Sequence, residues 1–296
     1  HPLMGQISIS RAISSKAAVA PARVAITCGE KQVTRRELDL RTNRLARAYA
    51  DLGVGPGSYV TIGLPNSIGF FESAIAAWKL GAIPQPISHR LPHRERQAIV
   101  ELAGSSLVVG ADPEGHPGFT VIPEGWEPSA EISDAPLPDI VSETWKAPTS
   151  GGSTGRPKLI VSGDPGVINE GVTAQGIKVD GSVCVPGPLY HNAPFGFSTQ
   201  SLFHGNHISI LEKFDAEATL AEIERHRADW LLLVPTMMLR IFRLPEDVRL
   251  RYGLSSLETV WHMAAPCPPW LKQAWIDWIG AEKIWELYAG TEAQAI

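Results

Sequence analysis

Cysteine is scarce. Cys28, Cys184 and Cys267 lie far apart and are odd in number, so they build neither a disulfide framework nor a metal site of the usual spacing. Long apolar runs are also missing. None exceeds the stretch Trp230 to Val234, far short of the roughly 20 residues a membrane-spanning helix requires. Positive charge is in deficit, with 26 Lys and Arg against 31 Asp and Glu and a net charge of −5. That balance does not suit general nucleic-acid binding through phosphates. No internal repeat is found. The opening His1-Pro2-Leu3-Met4 reads as tag residues ahead of a native start at Met4, with no apolar secretory core behind it. A reducing cytoplasm is the expected location.

What remains is ordinary globular material. Of 296 residues, 44% are hydrophobic and 19% charged, which excludes disordered and fibrous chains and leaves one large domain or two modest ones. Strand and helix patterns alternate. Thr34-Arg35-Arg36-Glu37 reads as a capping box opening a helix that stops at Gly53. Tyr59 to Gly63, Ile83 to Ile87 and Leu107 to Gly110 read as strands, separated by helices through Phe70 to Trp78 and Ile99 to Leu102. After an acidic, Pro-rich connection from Ala111 to Trp145 without a single Lys or Arg, the alternation resumes. Strands are expected at Lys158 to Val161, Val183 to Pro186, Ile208 to Leu211, Trp230 to Val234, Leu257 to His262 and Ile284 to Tyr288. Helices are expected at Gly166 to Gly176, within Phe195 to Phe203, at Ala216 to Arg227 behind the N-cap Asp215, and after Pro268-Pro269. The pattern predicts an α/β fold of mainly parallel sheets flanked by helices. Two lobes are expected, residues 1–145 and 146–296.

Four segments carry chemistry. Thr149-Ser150-Gly151-Gly152-Ser153-Thr154-Gly155-Arg156-Pro157-Lys158 offers unhindered backbone N–H groups, hydroxyls and one ammonium, an inventory suited to a polyphosphate. It is not a Walker A loop, because no Gly-Lys-Ser/Thr follows the glycines. A flexible Gly/Ser turn is the alternative. Tyr288-Ala289-Gly290-Thr291-Glu292 follows a strand pattern, at the carboxyl end where α/β sites are built. There Thr291 offers a hydroxyl for phosphate and Glu292 a hard oxygen ligand for Mg²⁺; a surface turn is the alternative. Leu189-Tyr190-His191-Asn192-Ala193-Pro194-Phe195-Gly196 sets a polar pair among apolar and aromatic residues, fitting either a pocket for an apolar ligand with a polar head or a structural histidine. Past the last strand but one, the small residues of Val260-Trp261-His262-Met263-Ala264-Ala265-Pro266-Cys267 let a flat ring approach the backbone.

In this order and spacing the four segments resemble the adenylate-forming superfamily of acyl-CoA and aryl-CoA synthetases, firefly luciferase and peptide-synthetase adenylation domains. Ser150 to Lys158 match its phosphate-loop motif, a Ser/Thr-Gly-rich start followed by Ser/Thr, Thr, Gly, any residue, Pro and Lys. Tyr288 to Glu292 match Tyr-Gly-x-Thr-Glu with Ala289 in the first glycine's place, and Ala264-Ala265-Pro266 match Gly-Ala-Ala-Pro with Met263 where glycine is common. His-Asn-Ala-Pro at 191–194 and the run through Pro269 look most like bacterial fatty-acid and bile-acid CoA ligases. The resemblance implies ATP, Mg²⁺ and coenzyme A as reactants with a carboxylic acid, activated as an acyl-adenylate. It implies that Ser153, Thr154, Gly155 and Lys158 hold the β- and γ-phosphates and that Thr291 meets the α-phosphate. Glu292 binds Mg²⁺, Ala265 and Tyr288 flank the adenine, and His191 stands at the carboxylate end of an acyl pocket. Phe195, Gly196 and Val234-Pro235-Thr236 are its expected walls.

Relatives continue past the Thr-Glu motif into a ribose-binding aspartate and a small C-terminal domain with a catalytic lysine, whereas the sequence stops at Ile296. The expectation is an N-terminal fragment of an acid:CoA ligase, strongly impaired alone and self-associating as a homodimer. A non-catalytic binding module of the same descent and an unrelated phosphate-binding α/β protein are the competing readings.

Overall fold

A computed structural model of the chain describes residues 5–150, 156–263 and 265–287. In chain order its elements are β1 (Gln6–Ser8), α1 (Ile9–Val19), β2 (Val24–Cys28), β3 (Lys31–Thr34), α2 (Arg35–Asp51), β4 (Tyr59–Ile62), α3 (Ile68–Lys79), β5 (Ile83–Pro86), α4 (His93–Ala103), β6 (Leu107–Val109) and β7 (Val121–Ile122). They continue with β8 (Thr149–Ser150), β9 (Lys158–Leu159), β10 (Val167–Asn169), β11 (Ser182–Val185), α5 (Asn192–Phe203), β12 (His207–Ile210), α6 (Ala216–His226) and β13 (Trp230–Leu233). Last come α7 (Pro235–Phe242), α8 (Glu246–Arg249), β14 (Thr259–Met263), α9 (Pro269–Ile279) and β15 (Ile284–Leu287). The chain divides into two compact units. Unit 1 takes residues up to Val24, then Val33–Val172 and Leu189–Asn192; unit 2 takes Ala25–Gln32, Thr173–Pro188 and the chain from Ala193.

Unit 1 is organised by a four-stranded sheet in the order β5-β4-β6-β7, parallel throughout. Both faces of β5 and β6 are buried, the condition under which parallel strands read as apolar runs. The expected capping box is present: the Thr34 hydroxyl accepts from the Glu37 N–H, and Glu37 returns to the Thr34 N–H. Helix α3 is buried almost all round. At its last residue the Lys79 ammonium donates to Asp39 Oδ1 and Asn43 Oδ1, each at 2.7 Å. Burial holds this ammonium below the usual lysine range, and the Asp39 carboxylate offsets part of the cost.

The acidic connection lies inside unit 1. It is irregular apart from β7, but it is firmly tied down. Arg44 Nε donates to the Ile132 carbonyl at 2.8 Å, Asn43 Nδ2 to that of Asp134 at 2.9 Å, and Arg47 to those of Ser133, Ala135 and Pro136. A segment without cationic side chains thus supplies acceptors to the basic face of α2. Trp145, at its end, stacks on Trp78 at 6.3 Å and accepts the Trp78 indole N–H at its carbonyl.

The helix expected over Gly166 to Gly176 is not formed. Val167–Asn169 is a strand, β10, paired antiparallel with β1. Gly171 and Gly176 stand at φ +75° and +78°, positions that end regular structure, and the β-branched pair Val167-Ile168 suits a ladder. Helices α1 and α7 and the β2–β3 pair were not anticipated from periodicity.

Unit 2 carries a seven-stranded sheet in the order β15-β14-β13-β11-β12-β2-β3. From β15 to β2 all neighbouring strands pair parallel. Its interior strand β13, Trp230–Leu233, is wholly buried. Leu231 and Leu233 pack with Val260, Leu271 and Trp275 on one side of the sheet. Gln175, at φ +52°, presents its carbonyl to two indoles at once, Trp230 Nε1 at 2.8 Å and Trp261 Nε1 at 2.7 Å. Among the described residues no helix is long and apolar enough to cross a membrane.

Candidate active-site segments

The proposed phosphate loop is flanked by an antiparallel pair, β8 and β9, in unit 1. Ser150 pairs with Lys158 and Thr149 with Leu159. The same register continues outward, with Ile160 N–H donating to the Pro148 carbonyl at 2.8 Å and Ser162 N–H to that of Lys146 at 3.2 Å. Gly151, Gly152, Ser153, Thr154 and Gly155 lie outside the described residues. Lys158 is exposed and, among the described residues, has no ion-pair partner. A long polar loop whose two ends are pinned by a ladder, with a cation at its exit, suits an anionic ligand.

The segment Leu189-Tyr190-His191-Asn192 also belongs to unit 1. Buried Leu189 donates its N–H to Asn66 Oδ1 at 2.9 Å, which fixes the chain before α5. The Tyr190 and His191 rings lie 4.4 Å apart. His191 keeps an exposed edge, yet partial desolvation lowers its pKa below the ordinary value, so its imidazole is neutral at pH 7.

One charged group here escaped the motif reading. Lys146 donates to Asn192 Oδ1 at 2.5 Å, and its Nζ stands 4.6 Å from the centre of the Trp145 ring. Burial pulls its pKa down to about 8, with Asp164 opposing weakly. A sequence signal did exist. Lys146 is the first Lys or Arg after Arg96, and it ends the cation-free connection immediately before the loop.

In unit 2 the strands that precede the other two motifs are neighbours. β14 and β15 run parallel with Met263 opposite Leu287, so their carboxyl ends share one edge of the sheet, the usual place for an α/β site. Ala265 and Pro266 are exposed just beyond β14. Ala264, Tyr288, Ala289, Gly290, Thr291 and Glu292 lie outside the described residues. Of the expected pocket walls, Phe195 is buried in α5, and Pro235 is buried at the start of α7. A Cβ at Gly187, past β11, would stand 3.2 Å from the Met237 side chain in the first turn of α7, so this segment packs closely on α7. No group of three or more metal-ligating side chains occurs among the described residues.

Comparison with known proteins agrees with this architecture. The chain matches the AMP-binding enzyme family over residues 13–296. It is 28% identical over 275 residues to a feruloyl-CoA synthase of Amycolatopsis sp, covering 88% of this chain and 55% of that protein. It is 27% identical over 266 residues to 4-coumarate–CoA ligase 5 of Oryza sativa subsp. japonica, covering 78% and 47%. The chain therefore spans about half the length of these curated relatives. Among solved structures, the amide bond synthetase McbA from Marinactinospora thermotolerans matches with a TM-score of 0.82 at 21% identity, over 97% of this chain and 60% of that one. The N-terminal domain of FACL13 from Mycobacterium tuberculosis matches with a TM-score of 0.74 at 21% identity, over 96% and 76%. At such identity the structural likeness speaks for the fold, which is the parallel α/β arrangement expected from the sequence. With the family match running over nearly its whole length, the chain belongs to the AMP-binding enzyme family.

Proposed function

We propose that this chain is the ATP- and acid-binding portion of an acid:CoA ligase. The observation that carries the reading is the hairpin that joins Ser150 to Lys158 around a Gly/Ser/Thr loop, in a chain of this family. The curated relatives named above are CoA synthases or ligases of carboxylic acids. A carboxylate is a poor electrophile because oxide is a poor leaving group. Its attack on the α-phosphate of MgATP gives an acyl-adenylate and pyrophosphate, and a thiolate, that of coenzyme A, then displaces AMP. Phosphoryl transfer needs alignment and charge neutralisation more than covalent help. Ser153, Thr154, Gly155 and Lys158 would hold the β- and γ-phosphates. Thr291 would meet the α-phosphate, Glu292 would hold Mg²⁺, and Ala265 and Tyr288 would flank the adenine. Neutral His191 would stand by the acid.

The test is acid-dependent exchange of pyrophosphate into ATP by the natural protein that carries this chain, followed by CoA thioester formation. Exchange that depends on a carboxylic acid and is lost in Lys158→Ala supports the reading. ATP turnover to ADP and phosphate, indifferent to any acid, contradicts it.

A further inference from the structure

Lys146 carries a charge that the phosphate chemistry leaves without a task. Its ammonium is partly buried, its one hydrogen-bond acceptor among the described residues is the neutral amide of Asn192, and no described carboxylate lies within ion-pair distance. Holding a cation in such a place is unfavourable unless an anion joins it. The hairpin register puts Lys146 opposite Ser162 and Lys158 opposite Ser150. Because alternate residues share a face, the two lysines lie on the same face of the hairpin, four residues of strand apart, or roughly 13 Å.

We propose that Lys146, with Asn192 holding its ammonium in place, binds the carboxylate of the acid to be activated, while Lys158 at the far end of the same hairpin face serves the phosphates. This rests on the acid:CoA ligase reading. Of the anions in that reaction, a carboxylate is the one that a single ammonium balances; the phosphates of ATP and CoA call for several cations. The surroundings suit an acid with an apolar body. Trp145 lies against the ammonium, and Tyr190 packs on the neutral imidazole of His191, the residue next to Asn192. Water excluded by these rings would strengthen the ion pair, and the depressed pKa of Lys146 is what an anion-receptive, partly desolvated ammonium shows before its partner arrives.

Competitive labelling tests this on the natural full-length protein. At pH 8 a lysine of pKa about 8 has about a hundredfold more neutral amine than an ordinary one, so a trace of N-hydroxysuccinimide ester labels Lys146 first and an excess labels exposed lysines as well. Peptide mass spectrometry then reads Lys146 and Lys158 in the same sample, with octanoate, ferulate or cholate as straight-chain, aromatic and fused-ring probes. The expected result is that at least one acid protects Lys146 without ATP and leaves Lys158 reactive, and that MgATP protects Lys158. Protection of Lys158 by MgATP with no protection of Lys146 by any of the acids overturns this proposal and leaves the ligase reading standing. Protection of neither lysine overturns both. With any acid that supports pyrophosphate exchange, Lys146→Gln should raise KM for the acid about ten- to a hundredfold and leave KM for ATP unchanged, with partial recovery in Lys146→Arg. Equal changes in both KM values would overturn the assignment, since a general defect in folding moves both.

Discussion

Ser150 faces Lys158 across the neck of the hairpin, so the polar loop between them starts and ends at one fixed point of unit 1. The register does more than close a turn. It puts a hydroxyl and an ammonium side by side where the loop opens, and it carries Lys146 to the other end of the same ladder. One short element therefore bears two cations with separate surroundings, one exposed and one partly buried.

Lys158→Ala should weaken ATP binding about ten- to a hundredfold, the worth of one charge-assisted hydrogen bond. The side chain is exposed, so thermal stability should stay within about 0.5 kcal/mol of the parent. Calorimetric titration with ATP and a denaturation curve together check this. A large loss of stability would mean that the ammonium supports the hairpin itself.

Lys146→Met should stabilise the folded protein at neutral pH by about 1 kcal/mol, because it removes a poorly compensated charge. The sign follows from proton counting. With a folded pKa of about 8 against 10.5 for the free side chain, the unfolded chain holds more protons between those values. Wild-type stability therefore gains from this group as pH rises through that window. The advantage of the methionine variant should be full below about pH 8 and shrink towards pH 10.5. Urea denaturation of both proteins across this range measures it.

His191→Ala should abolish an acid limb in the pH dependence of kcat/KM. Desolvation lowers the imidazole pKa, so the neutral form persists to below pH 6.5 and activity should fall only as the ring protonates beneath that value. A variant that keeps the same limb would assign it to another group.

Gly110→Ala should cost about 3 kcal/mol. The residue sits at φ +91°, and a Cβ there would stand 2.5 Å from the carbonyl oxygen of Gly63. The obstacle is backbone at the end of β4, so no side chain can swing aside. Gly118, with φ +86° and open space around its Cβ position, is the control: Gly118→Ala carries the conformational cost without the collision. Chemical denaturation of the two variants separates the terms.

The central strands were legible because burial on both faces leaves a continuous apolar signature, as at Trp230–Leu233. The caps at Thr34 and Asp215 were legible because their residue types have one local purpose. Val167–Asn169 was misread because its pairing partner, β1, lies about 160 residues upstream and periodicity carries no trace of it. Helix α7 left no separate signal, since a single apolar stretch runs from β13 through Pro235. The Gly/Ser/Thr-rich segment between Ser150 and Lys158 stood out by composition. Lys146 left only a positional trace, as the first cation after Arg96, since its environment is built by Trp145 and by Asn192, 46 residues further on.

Pyrophosphate exchange into ATP by the natural full-length protein, assayed with octanoate, ferulate and cholate against an acid-free control, is the most direct measurement. Exchange that requires one of the acids and collapses in Lys158→Ala is the expected result. Exchange with no acid requirement, or ATP split to ADP and phosphate, would contradict assignment of this chain to an acid-activating ligase.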